Sequence, residues 1–200
     1  MSGAPSARAS ALPVDPMFLE RWSPRAFTGE AIPDDVLMTC FEAAHWAPSA
    51  FNGQPWRFIY AKNDGPAWAT FLNLLIPYNQ QWAHTASALV FIASDRLRRS
   101  PTAEPAPNYS HTFDTGTAWG YFAMQAHLLG WAAHGMTGFE VDRAYETLGV
   151  PEEEYRLEAA VAIGRRGDKS AIPESFHPRE TPNTRRPVAE LVFEGGFNTK

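Results

Sequence analysis

Residues 86–93 read Ala-Ser-Ala-Leu-Val-Phe-Ile-Ala, an apolar run bounded by polar residues. A run this short, rich in large and β-branched side chains and without polar alternation, is the signature of a buried strand. The rest of the chain is read around it. Pro33, Asp34 and Asp35 open a helix whose apolar face is Val36, Leu37, Cys40, Phe41 and Ala44, ending near Ala47 because Pro48 restricts the residue before it. Strands are expected at 57–61, 131–136 and 157–163, and a short helix at 66–75. A longer helix, capped by Asp114, runs to about Leu129 with Gly130 at its end, and another spans Val141–Leu148 before Gly149 and Pro151. Residues 96–111 hold three prolines and little periodicity, and read as a loop, a candidate lid. Residues 18–27 read as a connector. Helices and strands mix without strict alternation, so an α+β sandwich fits better than a doubly wound sheet.

With 200 residues, 44% hydrophobic and 20% charged, the chain has the balance of a single globular domain, here 17–200. Residues 1–16, rich in Ala, Ser and Pro, read as a disordered lead-in without the apolar core of a secretory signal. No apolar run is long enough to span a bilayer. The lone cysteine, Cys40, makes no internal disulfide, and a reducing, cytoplasmic setting is the simplest fit. A net charge of −5 argues against binding nucleic acid through phosphate neutralisation. There is no G-x-G-x-x-G motif, no internal repeat, and no spaced His/Cys cluster for a metal.

Three clusters carry chemistry. In Arg21-Trp22-Ser23-Pro24-Arg25, two arginines flank a hydroxyl at alternate positions, and in an extended backbone all three point one way. Guanidinium forks match phosphate oxygens, although such a stretch by itself is most often a solvated basic turn. The second cluster, residues 47–56 (APSAFNGQPW), packs hydroxyl and amide groups between prolines and a glycine. It suits either the hydrogen-bonding edges of a flat ligand or an ordinary helix-to-strand turn. The third, Arg185-Arg186-Pro187, is weak alone.

Taken together, the R-x-S-x-R and P-S-x-x-N-x-Q-P-W elements, Asn79, and the stretch Gly130–Phe139 resemble the FMN-dependent nitroreductase family over residues 18–193. The resemblance implies a three-layer α-β-α sandwich with a mixed, mainly antiparallel sheet, and a homodimer with FMN between the subunits. Arg21, Arg185 and Arg186 would hold the phosphate, Ser23 the phosphate–ribityl end, and Arg25 and Asn79 the pyrimidine edge. Pro48, Ser49, Ala50 and Asn52 would come from the partner. Thr137 and Gly138 would offer backbone N–H groups, with Gly135 and Met136 close by. Trp22 and Gln54 are counted with the same cofactor-binding elements. Two departures stand out: some relatives have lysine where this chain has Trp82, and an acidic residue where it has Thr137. The family's chemistry implies NADH or NADPH as donor, small acceptors such as nitroaromatics or quinones, and alternate use of one site with no catalytic side chain. A flavin-storage protein, or a specialised reductase or oxidase on the same scaffold, are the alternatives. Among the scattered histidines His134 is the one to watch, and the run 188–193 could extend onto the partner.

Overall fold

A computed structural model describes residues 8–197. Its centre is a four-stranded sheet of order β1-β2-β6-β5, made by β1 (Trp56–Lys62), β2 (Ala88–Asp95), β5 (Ala132–Met136) and β6 (Tyr155–Gly164). Each of the three described pairings in that sheet is antiparallel. All eight residues of β2 are buried: Ala88–Ala93 as the apolar run predicts, and the polar Ser94 and Asp95 beyond it.

Alternation along β2 divides the interior into two cores, because successive side chains leave opposite faces of a strand. Leu89, Phe91 and Ala93 pack with Phe71 of α3 (Trp68–Asn73), Trp82 of α4 (Pro77–Ala83) and Ala144 and Tyr145 of α6 (Val141–Leu148). Ala88, Val90 and Ile92 face the other way, toward Leu37, Cys40 and Ala44 of α2 (Asp34–His45) and Ala118, Phe122 and Ala126 of α5 (His111–Leu128). The result is the three-layer α-β-α sandwich. Phe91 lies edge-on to Phe71 and Phe139 at 5.6 and 5.4 Å, so truncating it to alanine costs about 3–5 kcal/mol through the cavity left behind. α2 and α6 begin and end close to where their capping signals place them, and Gly149 takes the left-handed φ of 64° that stops α6.

The structure departs from the sequence reading in four places. α4, unforeseen, is a seven-residue helix with Pro77 in its first turn. Residues 97–107 are not an irregular loop but a two-stranded antiparallel ribbon of β3 (Leu97–Ser100) and β4 (Ala103–Pro107). Its prolines are tolerated because a two-stranded ribbon is all edge. α5 starts at His111 with Ser110 in the capping position, so Asp114 lies inside the first turn rather than at the cap. Running from the end of the expected lead-in into the expected connector, α1 (Pro16–Glu20) forms a short helix capped by Asp15, whose carboxylate accepts from Met17 N at 2.9 Å.

Of the expected lead-in, residues 1–7 lie outside the described residues. Residues 8–15 are placed, with the Arg8 side chain reaching Asn183. No helix among the described residues is long and apolar enough to cross a membrane. The run 188–193 begins with a short 3-10 turn (Val188–Glu190), and Val188, Leu191 and Val192 are exposed.

Candidate functional site

α1 ends into extended backbone at Arg21 (φ −65°, ψ 125°), and Arg21, Ser23 and Arg25 follow at alternate positions. Arg21 Nη1 donates to Ser23 Oγ at 3.3 Å. The loop is pinned from far along the chain: Glu180 Oε1 accepts the backbone N–H groups of Arg25 and Ala26, both at 2.9 Å. That contact brings the basic tail alongside. The outcome is a cavity of about 400 Å³ lined by Arg8, Arg21, Arg25, Arg179 and Arg185, with Trp22, Ser23 and His134, and with no Asp or Glu among the described lining residues. Burial, then the charges of Arg8 and Arg185, hold the Arg21 guanidinium below its ordinary pKa. Crowded cations without a carboxylate have one ready complement, a multiply charged anion such as a phosphate.

Arg21, Ser23, Arg25 and His134 also line a second, larger cleft of about 1020 Å³, so the two spaces adjoin. Its walls come from α5 (Thr117, Trp119, Tyr121), α4 (Tyr78, Asn79) and residues 134–138. Space along that last wall is tight at its glycines. A Cβ on Gly138 would stand 2.5 Å from Asn79 Nδ2 and 2.8 Å from Ile76 Cδ1, and one on Gly135 would stand 3.0 Å from the Trp119 ring. Asn79 is buried and held from both ends of its amide: its Nδ2 donates to Gly138 O at 2.9 Å and its Oδ1 accepts from Trp82 Nε1 at 3.3 Å. The backbone N–H groups of Thr137 and Gly138 donate to nothing among the described residues.

Trp82, where some relatives carry lysine, is core: it is 1% exposed and packs on Phe27 and His134. Arg25 lies 6.0 Å above its ring, with its Nε buried and without a hydrogen-bond partner. His134 Nδ1 donates to Pro24 O at 2.9 Å. Burial, reinforced by the charges of Arg25 and Arg21, brings the His134 pKa down to about 4 against the opposing effect of the backbone carbonyls. The imidazole is therefore neutral at physiological pH, with Nε2 as an acceptor.

The structure does not bring the 48–54 turn into either cavity, and Arg186 lines neither. The turn sits against the start of α5. Asp114 Oδ2 accepts Ala50 N at 3.1 Å and the Ser110 hydroxyl at 2.8 Å, and Ser49 Oγ accepts Gln54 N at 3.0 Å. Phe51, Asn52 and Gln54 all have positive φ (54°, 54° and 46°), a region that L side chains other than Asn rarely enter.

The sequence pattern of the nitroreductase family matches residues 19–67 and 63–165. The chain belongs to the nitroreductase family. Oxidoreductase chemistry comes with that membership. A solved oxidoreductase containing FMN superposes on this nitroreductase-family chain with a TM-score of 0.94 at 49% identity, covering 100% of both chains. A 15.4 kDa protein of Mycolicibacterium smegmatis is 32% identical over 70% of this chain and 95% of its own length. A Ralstonia nicotianae protein, named for NADH dehydrogenase/NAD(P)H nitroreductase activity, is 23% identical over 83% of this chain and 89% of its own.

The residues of this nitroreductase-family site fit FMN. The acid-free arginine cluster suits its phosphate, the unpartnered Arg25 Nε suits a ring acceptor, and the free N–H groups at Thr137 and Gly138 suit a polar ring edge. Sequence reasoning missed Arg8, Arg179 and Glu180. Only Glu180 left a signal, as the one acid within the basic segment 177–187.

Proposed function

We propose that this chain binds FMN in the joined cavities and acts as an FMN-dependent oxidoreductase. It takes electrons from NADH or NADPH and reduces nitroaromatics, quinones or related small electrophiles. The observation that carries this reading is the acid-free pocket of five arginines opening into a cleft of about 1020 Å³. FMN, when bound, supplies hydride acceptance and donation at its ring. The chain supplies position and electrostatics. Arg21 and Arg185 hold the phosphate, and Ser23 the adjoining polyol. Arg25 meets the pyrimidine edge, where a fixed cation stabilises added negative charge. Thr137 and Gly138 would offer their N–H groups to the N5–O4 edge. Neutral His134 keeps a further positive charge away from that wall.

A nicotinamide donor is supported by the name of the Ralstonia relative. One open cleft serving donor and acceptor in turn makes ping-pong kinetics the expected pattern. The chain works as a homodimer in which Pro48, Ser49, Ala50, Asn52 and Gln54 serve the partner's flavin, a reading supported by their lining neither of the two joined cavities of their own protomer. A cytoplasmic setting keeps Cys40 a thiol.

The test is an absorbance spectrum of the purified protein, then anaerobic addition of NADH and of NADPH. A yellow protein that bleaches is the expected result and identifies the donor. A protein that stays yellow with both would point to flavin storage or a specialised donor. A colourless protein that takes up no added FMN would overturn the proposal.

A further inference from the structure

The family pattern begins at residue 19, yet a guanidinium from upstream of it lines the arginine pocket. Arg8 Nε donates to the backbone oxygen of Asn183 at 2.7 Å, Arg8 Nη2 donates to Asn183 Oδ1 at 2.8 Å, and Arg8 Nη1 donates to Arg21 O at 2.8 Å. One side chain thus ties the tail, 175 residues away, to the segment that carries Arg21. Asn183 Oδ1 also accepts from Arg185 Nη1 at 2.8 Å. A single neutral oxygen therefore holds two guanidiniums side by side, with Arg21 completing the group.

Like charges gathered on a neutral acceptor repel: after burial, which lowers both values most, the Arg185 charge lowers the Arg8 pKa, and the charges of Arg8 and Arg185 lower that of Arg21. The repulsion works against the hydrogen bonds that hold the group together. The arrangement becomes favourable when an anion with two negative charges enters among them. The two-pronged grip on Asn183 also uses the planar fork of arginine, which lysine lacks.

We infer that Arg8 belongs to the flavin-phosphate site: it adds a charge to the Arg21–Arg185 pair and fixes the spacing between them through Asn183. This rests on the FMN reading above. It assigns to residues upstream of the family pattern a part in selecting the phosphorylated flavin over the unphosphorylated one.

The experiment measures dissociation constants of the full-length, flavin-stripped chain for FMN and for riboflavin by quenching of flavin fluorescence, with wild type, Arg8→Ala, Arg8→Lys and Asn183→Ala. Charge-assisted hydrogen bonds of this kind correspond to about a tenfold or greater change in affinity. Arg8→Ala is expected to weaken FMN about tenfold or more while leaving riboflavin within about twofold. Arg8→Lys should fall between wild type and alanine, and Asn183→Ala should reproduce the selective loss. Equal weakening of both flavins would mean a purely structural strap and would overturn the inference, as would unchanged FMN affinity in Arg8→Ala. A wild-type chain that binds neither flavin would remove the FMN reading and this one with it. Wild type that binds FMN beside an unaffected Arg8→Ala removes this one alone. Thermal melting of each variant establishes that folded protein is compared.

Discussion

Lowering the pH should destabilise this protein through His134, and by an amount that can be worked out. The imidazole has an ordinary pKa of 6.5 and is brought to about 4 in the fold, chiefly by burial and then by the charges of Arg25 and Arg21. The folded value is depressed, so between those two pH values the unfolded chain binds the proton and the folded chain does not. The associated stability is present in full above the unfolded pKa, falls by about 1.4 kcal/mol per pH unit through the window, and is lost as pH passes the folded pKa. At pH 7 almost none is lost, and at pH 5 the loss is about 2 kcal/mol. His134→Gln gives the control. It keeps an N–H donor for Pro24 O, removes the titration, and leaves the other ionisable groups to cancel in the comparison. Urea unfolding of the flavin-free chains, followed by tryptophan fluorescence at pH 7, 6 and 5, reads the difference directly. The wild-type advantage over His134→Gln should shrink by about 2 kcal/mol from pH 7 to pH 5. Parallel loss in the two proteins, or a wild-type advantage that grows, would refute the claim of a neutral buried imidazole in the site wall.

Other consequences follow from the packing. Gly138→Ala places a methyl 2.5 Å from Asn79 Nδ2, so it should cost about 1–3 kcal/mol in thermal melting and weaken flavin uptake. A variant matching wild type in both would show that the wall can give. Asp114→Ala leaves Ala50 N without its acceptor and removes the shorter of the two Ser110 hydroxyl contacts, and should destabilise by about 1–3 kcal/mol, measured by denaturant unfolding. Burial pushes the Cys40 thiol up to about 11, so a thiol-specific disulfide reagent near neutral pH should react with the denatured protein and spare the native one. Rapid labelling of native protein would contradict that.

What could be read from the sequence was what local physics decides. From Ala88 to Ala93 β2 has no polar side chain to place on a solvent face, so the burial of that stretch follows from composition. α6 is bounded by a glycine free to take positive φ, and α2 by a proline and two aspartates at its start. Arg21, Ser23 and Arg25 were recognisable because extended backbone turns alternate positions into one face. α4 escaped because seven residues give too few turns for an apolar period to emerge. The 97–107 ribbon escaped because its prolines mask a pairing that only the partner strand reveals. Glu180 and Arg8 act across 155 and 175 residues, and no local pattern connects them to the loop they hold. The site's charges were therefore partly visible, but the contacts that bring them together were not.

The 48–54 turn shows how strain and function are connected here. Three non-glycine residues with positive φ cost on the order of 1 kcal/mol each, and such a conformation persists only where its surroundings over-determine it. Asp114, 4% exposed, and Ser49 supply that determination. Yet the turn lines neither of the two joined cavities of its own protomer, and it leaves Phe51 85% exposed beneath Arg98. A relaxed turn would join α2 to β1 equally well, so connectivity gives no reason for the strain. Presentation of this turn to another molecule gives one. In the proposed homodimer that molecule is a second copy of the chain, whose cleft would receive the turn. Asp114 then matters twice: to the stability of its own protomer, and to the shape of the surface its partner uses.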